Sequence, residues 1–487
     1  MKHCVQIFTA MIFLLSISIG SAQETGEDFL ESAKMAQKLN EHTKAVDLLS
    51  KAIRNGVMTA DVFFRRGLSQ ERLGKLNEAV QDYTKAIDLD PRMETALNNR
   101  GSAYYRLGEY DRAIRDYSRA IELNPGYGLA YYNRGNAYHG KGEFEKSIED
   151  FSRAIQIDPR DRDVYNNRGW AYLQVNEIDK SIEDFNRALQ LDPNYVLAYA
   201  NRGNARLKAG NVEGAIQDLS RAIELNPEYA TAYLQRGNAY ARKELFDEAL
   251  NDYNKAIRIS PAHADPYNNR GWVFFKKGNV AQALRDVSKA VSLNPELSKA
   301  YTNRGWINMS IGECPKALPD FDRALELDPK AAAIYVFRAE CLLNTHQIQK
   351  ARNDLDKAFA LDPTNPKILE TLGPLKEIAG DYGTATEMFM KLVDLHPNDS
   401  SAHVDLGIAL GKSGSLVRAV EEFTRAIQLD PGNREAYLRR GIARDLLGDK
   451  KGSRDDFTTG LQMKEETTSK LRQPINTSLV REYINLR

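Results

Sequence analysis

Eleven prolines stand 34 residues apart in unbroken register, from Pro91, Pro125 and Pro159 through Pro397 to Pro431, and the residues between them repeat in step. A 34-residue unit with a helix-turn-helix pattern is too small to bury its own apolar face, so it must stack on copies of itself. Counting from Gly26 gives thirteen units, the last beginning at Arg434. Position 8 of the unit is Gly, as at Gly101, Gly135 and Gly169, except for Ala33 and Ala339. Position 20 is Ala or Ser, position 24 is large and apolar (Tyr117, Phe151, Phe185, Leu219), and position 27 is Ala in eleven of the thirteen. Small residues facing one large residue predict two helices crossing closely within each unit. The Asp-Pro or Asn-Pro near each unit's end, as at Asp158-Pro159 and Asn226-Pro227, stops the second helix. Proline has no N–H to donate and pushes the preceding residue into extended backbone. The expected fold is all-α, a solenoid of thirteen helix-turn-helix repeats.

These residues resemble the signature of the tetratricopeptide repeat family: aromatic at position 4, Gly at 8, aromatic at 11, Ala at 20, aromatic at 24 and Pro at 32. Tyr131, Gly135, Tyr138, Ser147, Phe151 and Pro159 match it with Ser147 as the one substitution. The resemblance covers residues 26–467. It implies a right-handed superhelix whose first helices line a concave groove that grips peptides or partner proteins.

The N-terminus carries Lys2 and His3, an apolar run from Val5 to Ile19, and then Gly20-Ser21-Ala22. A short positive region, an apolar stretch and small residues make up a secretory signal peptide, here with cleavage expected after Ala22. The run is short for a membrane span, and Cys4 precedes it, which does not suit a lipoprotein. A secreted or periplasmic protein with no membrane span after cleavage is the expectation. Residues 1–22 are then the leader, 23–93 a linker and the first two units, and 94–331 the core array with its groove. Residues 332–433 are divergent units, 434–467 the last unit, and 468–487 a capping segment in which Leu479, Val480, Tyr483 and Ile484 fall at helical spacing.

Lys plus Arg and Asp plus Glu both number 67, so the net charge is zero. Binding nucleic-acid phosphates normally needs a basic excess or stripe, and no nucleic-acid partner is expected. Units, leader and tail account for the whole sequence given, leaving no room for a catalytic domain. Gly411-Lys412-Ser413 lacks the upstream glycine of a phosphate-binding loop, Leu406 standing there. The histidines have no metal-ligand spacing. No enzyme activity, cofactor or metal is expected. Cys314 and Cys341 occupy positions 17 and 10 of adjacent units. They are either small buried apolar residues or, in an oxidising compartment, a disulfide.

Position 7 is Arg in ten units, from Arg66 and Arg100 to Arg338 and Arg440, and position 23 of the same ten is Asp, from Asp82 and Asp116 to Asp354 and Asp456. The units lacking Arg (Ser32, Leu372, Leu406) also lack Asp, having Leu48, Met388 and Glu422. With a turn near position 15 the two positions lie at equal height on antiparallel helices. A bidentate Arg–Asp bridge inside each unit follows.

Positions 4, 8 and 11 form the packing stripe of the first helix, and 2, 6, 9 and 13 form a second stripe nearly opposite. Position 6 carries Asn99, Asn133, Asn167, Asn201, Gln235, Asn269 and Asn303 in seven consecutive units. Asn is a mediocre helix former, and its amide offers both donor and acceptor to the backbone of an extended peptide. A similar asparagine ladder lines the groove of the repeat domain in O-linked N-acetylglucosamine transferases. That resemblance implies main-chain binding by these seven. Trp170, Trp272 and Trp306 all occupy position 9, with Phe275 and Met309 at position 12 beside the last two. Tryptophan is enriched among interface residues that dominate affinity. Arg106, Lys208, Arg242 and Lys276 at position 13 add a broken basic rail. After residue 331 the pattern fades, and Pro319 and Pro374 are expected to kink the stack. The function expected is a non-catalytic scaffold binding an extended peptide or partner protein. A subunit of a cell-envelope or secretion assembly is the alternative, and an RNA-binding helical repeat fits the neutral charge poorly.

Overall fold

The computed structural model describes residues 25–463. Among them are 26 α-helices, α1 to α26 in chain order, and no strand. Repeat 1 is α1 (Gly26–Lys38) with α2 (His42–Arg54), and repeat 13 is α25 (Arg434–Leu446) with α26 (Lys450–Gln462). The expected leader and the stretch from Leu479 to Ile484 lie outside the described residues. A first helix such as α1 or α25 has 13 residues, too few to be stable alone in water, so packing must hold it.

Each first helix ends in a residue of positive φ at position 15. Gly74 (φ 76°) through Gly448 (φ 89°) fill this place in nine repeats, and Asn40, Asn176, Glu244 and His346 adopt φ of 58–63° in the rest. Without a Cβ, glycine enters this region freely, whereas Glu244 and His346 carry strain. In repeats 2 to 12 the second helix stops at the residue before the periodic proline. Asp90 is extended (φ −134°, ψ 92°), and its Oδ1 accepts the N–H of Arg92 at 3.0 Å. Asp158 and Asn226 accept from Arg160 and Glu228 in the same way, at 2.9 and 3.1 Å. Proline thus sets the backbone of this residue, and the turn it makes favours Asp or Asn.

Within a repeat the helices meet at position 8. A Cβ on Gly101 would lie 2.7 Å from Tyr117 Cε1, and one on Gly135 2.8 Å from Phe151 Cε1. Ala33 and Ala339 stand where position 24 is the fully buried Leu49 or Leu355 rather than an aromatic ring. Every aromatic ring at position 24 faces a Gly, and Gly203 and Gly271 keep the same close approach to Leu219 and Val287.

The chain divides into two compact units, one ending at Glu248 and one beginning at Ala249, within α14 (Phe246–Ile259). In the first unit the core is a series of small clusters. One of them joins Leu219 and Ala222 to Ala232 and Ala239 of the following repeat. In the second unit one continuous cluster runs from Cys314 to Ala443. Pro319 and Pro374 lie inside α18 (Cys314–Leu327) and α21 (Pro366–Ile378), and both helices continue through them without a break. Each removes a single N–H from the ladder while the bonds on either side persist. No helix among the described residues is long and apolar enough to cross a membrane.

Candidate functional site

The expected Arg–Asp bridge is present. In repeat 5, α9 (Arg162–Gln174) and α10 (Ile178–Leu191) bring Arg168 Nε to 2.8 Å from Asp184 Oδ2 and Nη2 to 2.7 Å from Oδ1. The same fork joins Arg66 to Asp82, Arg100 to Asp116, Arg134 to Asp150, Arg270 to Asp286, Arg338 to Asp354 and Arg440 to Asp456. A third arm escaped the sequence reading. Arg168 Nη1 donates to Ser152 Oγ at 3.0 Å, in the second helix of the preceding repeat, and Arg66, Arg100 and Arg440 reach Ser50, Thr84 and Thr424 likewise. Position 25 was the available signal: it is a small polar residue before these arginines but Met390 before Leu406. The aromatics at positions 4 and 11 flank the guanidinium, Tyr165 and Tyr172 lying 5.8 and 5.7 Å from that of Arg168.

Burial pushes the Asp184 carboxyl above its ordinary value, and Arg168 offsets part of that. Burial acts downward on the guanidinium, but the hydrogen bond and charge of Asp184 together outweigh it and raise Arg168. The two partners thus point in opposite senses for the charged form. The geometry decides for the ion pair, because each carboxylate oxygen accepts an N–H and a neutral carboxyl would set an O–H against one of them. In repeat 12, Glu422 faces Leu406 and turns instead to the buried His403, whose Nδ1 lies 2.7 Å from its carboxylate.

The second stripe is a knitted row of amides. In the first unit it runs through Asn99 on α5 (Glu94–Arg106), Asn133 on α7 (Gly128–Gly140), Asn167 on α9, Asn201 on α11 (Val196–Lys208) and Gln235 on α13 (Ala230–Arg242). Asn133 Nδ2 donates to Asn98 Oδ1 at 2.9 Å, and Asn201 Nδ2 to Asn166 Oδ1 at 3.0 Å. Asn98 and Asn166 in turn donate to Asn99 and Asn167 of their own repeats, both at 3.2 Å. Asn167 donates onward to Tyr132 Oη and Asn136 Oδ1 at 3.1 and 3.0 Å. Asparagine at position 6 therefore has a packing role, with Asn133, Asn167, Asn201 and Asn303 each linking their first helix to position 5 of the one before. Gln235 follows Ala200, which has no side-chain acceptor, and its Oε1 is buried without a partner. Asn136, Asn204 and Asn238 at position 9 form a second amide row that the sequence reading passed over. Asn204 is partly exposed.

In the second unit, Asn269 and Trp272 lie on α15 (Ala264–Lys276), and Asn303 and Trp306 on α17 (Ser298–Ser310). Asn303 Nδ2 donates to Asn268 Oδ1 at 2.9 Å. Trp272 and Trp306 have ring centroids 5.0 Å apart, and Phe275 lies 5.9 Å from the first and edge-on 5.1 Å from the second. Lys276 Nζ stands 5.2 Å from the Trp272 ring. All three rings are partly buried. Trp170 has no ring partner and packs beside Leu173, Phe185 and Ala205.

Family models described as TPR repeat match residues 72–108, 101–142, 203–244 and 245–278. Models described as tetratricopeptide repeat match 128–161, 163–195, 185–217, 264–297, 303–366, 372–434 and 404–459. The chain belongs to the tetratricopeptide repeat family. No curated protein matches this tetratricopeptide array. Among similar solved structures, a tetratricopeptide repeat protein from Parabacteroides merdae is 21% identical over 51% of this chain and 98% of its own, with a TM-score of 0.46. MamA is 27% identical over 33% of this chain and 94% of its own, at 0.31. YrrB, described as a TPR protein with an unusual peptide-binding site, is 28% identical over 39% and 97%, also at 0.31. The array is a protein-interaction scaffold of a typically non-catalytic family.

In this tetratricopeptide array the basic residues of position 13 divide by what they touch. Lys208 Nζ lies 3.4 Å from Leu173 O and Arg242 Nη1 2.6 Å from Leu207 O, so both cap the first helix of the repeat before, where a cation also meets the negative end of the helix dipole. Arg106 pairs with Glu71 at 3.4 Å. Lys276 is exposed and touches only the Trp272 ring.

Proposed function

We propose that this chain is a scaffold that binds an extended segment of a partner protein along the first-helix face of its repeats. In the first unit the main chain of the partner lies against amides at positions 6 and 9, and in the second unit an apolar side chain of the partner lies against Trp272, Phe275 and Trp306. The three-ring cluster carries the proposal: large rings gather on this face and stay partly exposed, as anchor residues of interfaces do. The partly exposed amide of Asn204 supplies hydrogen-bonding capacity that internal packing leaves over. An exported location belongs to the proposal, supported by Lys2 and the apolar run from Val5 to Ile19 followed by Gly20-Ser21-Ala22.

The test is selection of peptide ligands from a random library on the full chain, followed by measurement of Kd for two variants. Trp272→Ala is expected to weaken binding by about tenfold or more, the scale of an anchor residue. Asn204→Ala, which removes no internal hydrogen bond, is expected to weaken it several-fold with an unchanged circular dichroism spectrum. Ligands that bind both variants as tightly as the parent would place the site elsewhere.

A further inference from the structure

Cys314 is the first residue of α18 and Cys341 lies on α19 (Ala332–Asn344) in the next repeat, with 26 residues between them. Both are free thiols, 3% and 0% exposed, within the same core cluster. Asn344, one turn beyond Cys341 on α19, reaches Cys314 Sγ with its Nδ2 at 3.8 Å, and residues three apart share a helix face. Cys314 is thereby seated against the face of α19 that carries Cys341. The other repeats explain the meeting. Position 17 of repeat 3 is Tyr110, whose ring reaches across to Gly140 on the first helix of the following repeat, while position 10 is Ala in repeats 3 and 4, at Ala103 and Ala137. Repeats 9 and 10 place two thiols at these positions. Burial, then the neighbouring Cys314, pushes the Cys341 thiol up, which agrees with an enclosed S–H beside a second sulfur.

We propose that Cys314 and Cys341 are the two halves of an inter-repeat disulfide, formed as the chain folds in an oxidising environment. The oxidant is a disulfide, of glutathione or of a thiol–disulfide oxidoreductase. Cys314, beside the turn at Gly312 and the less enclosed of the two, attacks one sulfur of the oxidant as its thiolate and releases the other as a thiol. Cys341 then loses its proton and displaces the second thiol from the mixed disulfide. Two protons and two electrons pass from the cysteines, and the oxidant leaves as two thiols. The bond ties the repeat that holds Trp306 and Asn303 to the next. Because both sulfurs are enclosed once α19 has docked, oxidation accompanies folding rather than following it.

The experiment uses the full chain carrying Cys4→Ser, so that two cysteines remain. The reduced, denatured protein is refolded in a mixture of oxidised and reduced glutathione, then alkylated in denaturant and mapped by mass spectrometry. The expected result is loss of both alkylation sites, a peptide linked through Cys314 and Cys341, and a higher melting temperature that dithiothreitol reverses. Folded, reduced protein placed in the same mixture is expected to oxidise roughly tenfold more slowly, or less. Alkylation of both cysteines after refolding, or glutathione on both, overturns the proposal, as does a link to a second chain. Equal oxidation rates from the folded and unfolded states would overturn its coupling to folding.

Discussion

Replacing the Arg168–Asp184 pair by the residues that repeat 11 carries at the same places, Leu372 and Met388, should be nearly neutral, although each single replacement should be severe. Repeat 5 suits this cycle better than repeat 6, because Asp218 is held by Arg206 at 2.8 Å as well as by Arg202. Asp184→Met leaves a guanidinium of which 19% of the side chain is exposed. Ser152 and the rings of Tyr165 and Tyr172 remain to it, so the loss should fall near the lower end for a broken buried pair, about 3 kcal/mol. Arg168→Leu leaves Asp184, 4% exposed, without either donor, and about 5 kcal/mol is expected. In the double variant no buried charge is left over. Ser152 Oγ still donates to Ile148 O at 2.7 Å, and Leu372 and Met388 occupy these places natively at 0% and 2% exposure. Its net effect should be about 1 kcal/mol, the lost cation–π contacts against the relieved desolvation. A coupling energy of about 7 kcal/mol follows. A stack of repeats does not unfold in a single step, so the measurement is hydrogen exchange of the α9 and α10 amides under rising urea, giving a local opening free energy for each variant. A double variant as unstable as its worse parent, or a coupling below about 0.5 kcal/mol, would refute the view that the pair acts as a unit.

Glu244→Gly should stabilise the array by about 1 kcal/mol, because the φ of 59° at this turn strains any residue with a Cβ; an unchanged melting temperature would contradict the assigned strain. Gly135→Ala should cost about 1–2 kcal/mol, overpacking against the Phe151 ring outweighing the gain in helix propensity, whereas Gly203→Ala opposite Leu219 should cost less, and urea titration of the two variants compares them. His139 is lowered from its ordinary value of 6.5 by burial, and its Nε2 lacks a partner. The unfolded chain therefore binds more protons there, and stability present above pH 6.5 is lost as pH falls below it. His139→Phe should flatten that part of the curve of melting temperature against pH, and an identical acid slope would count against it.

The fold was legible because its 34-residue period fixes helix lengths, turns and the crossing at position 8 at once. The Arg–Asp bridge was legible for a different reason: both members lie in one repeat and change together, as Leu372 and Met388 reveal. Contacts between repeats were harder to read, since they depend on how far one helix pair is shifted against the next. Asn133 meets Asn98 and Asn201 meets Asn166, 35 residues apart, and a single unit drawn as two helices does not contain that offset. The same holds for the rings. Position 9 puts Trp170, Trp272 and Trp306 on one stripe, but only the latter two have a tryptophan at position 9 of an adjacent repeat, where Trp170 has Asn136 and Asn204.

One stripe thus serves two ends, and the division between them runs through single side chains. Asn201 ties its helix to Asn166 through Nδ2, while its Oδ1 is left to other donors. Asn201→Ala removes both, so a weakened ligand could report either a loosened stack or a lost contact. Asn204, three residues further along the same helix, ties nothing. If Asn204→Ala weakens a bound peptide and Asn201→Ala weakens it further while lowering local exchange protection in α11, the excess measures how much of recognition depends on the amide row being held in register. Equal affinity losses with unequal protection would separate the two roles, leaving the knitted amides to the stack and the position 9 residues to the partner.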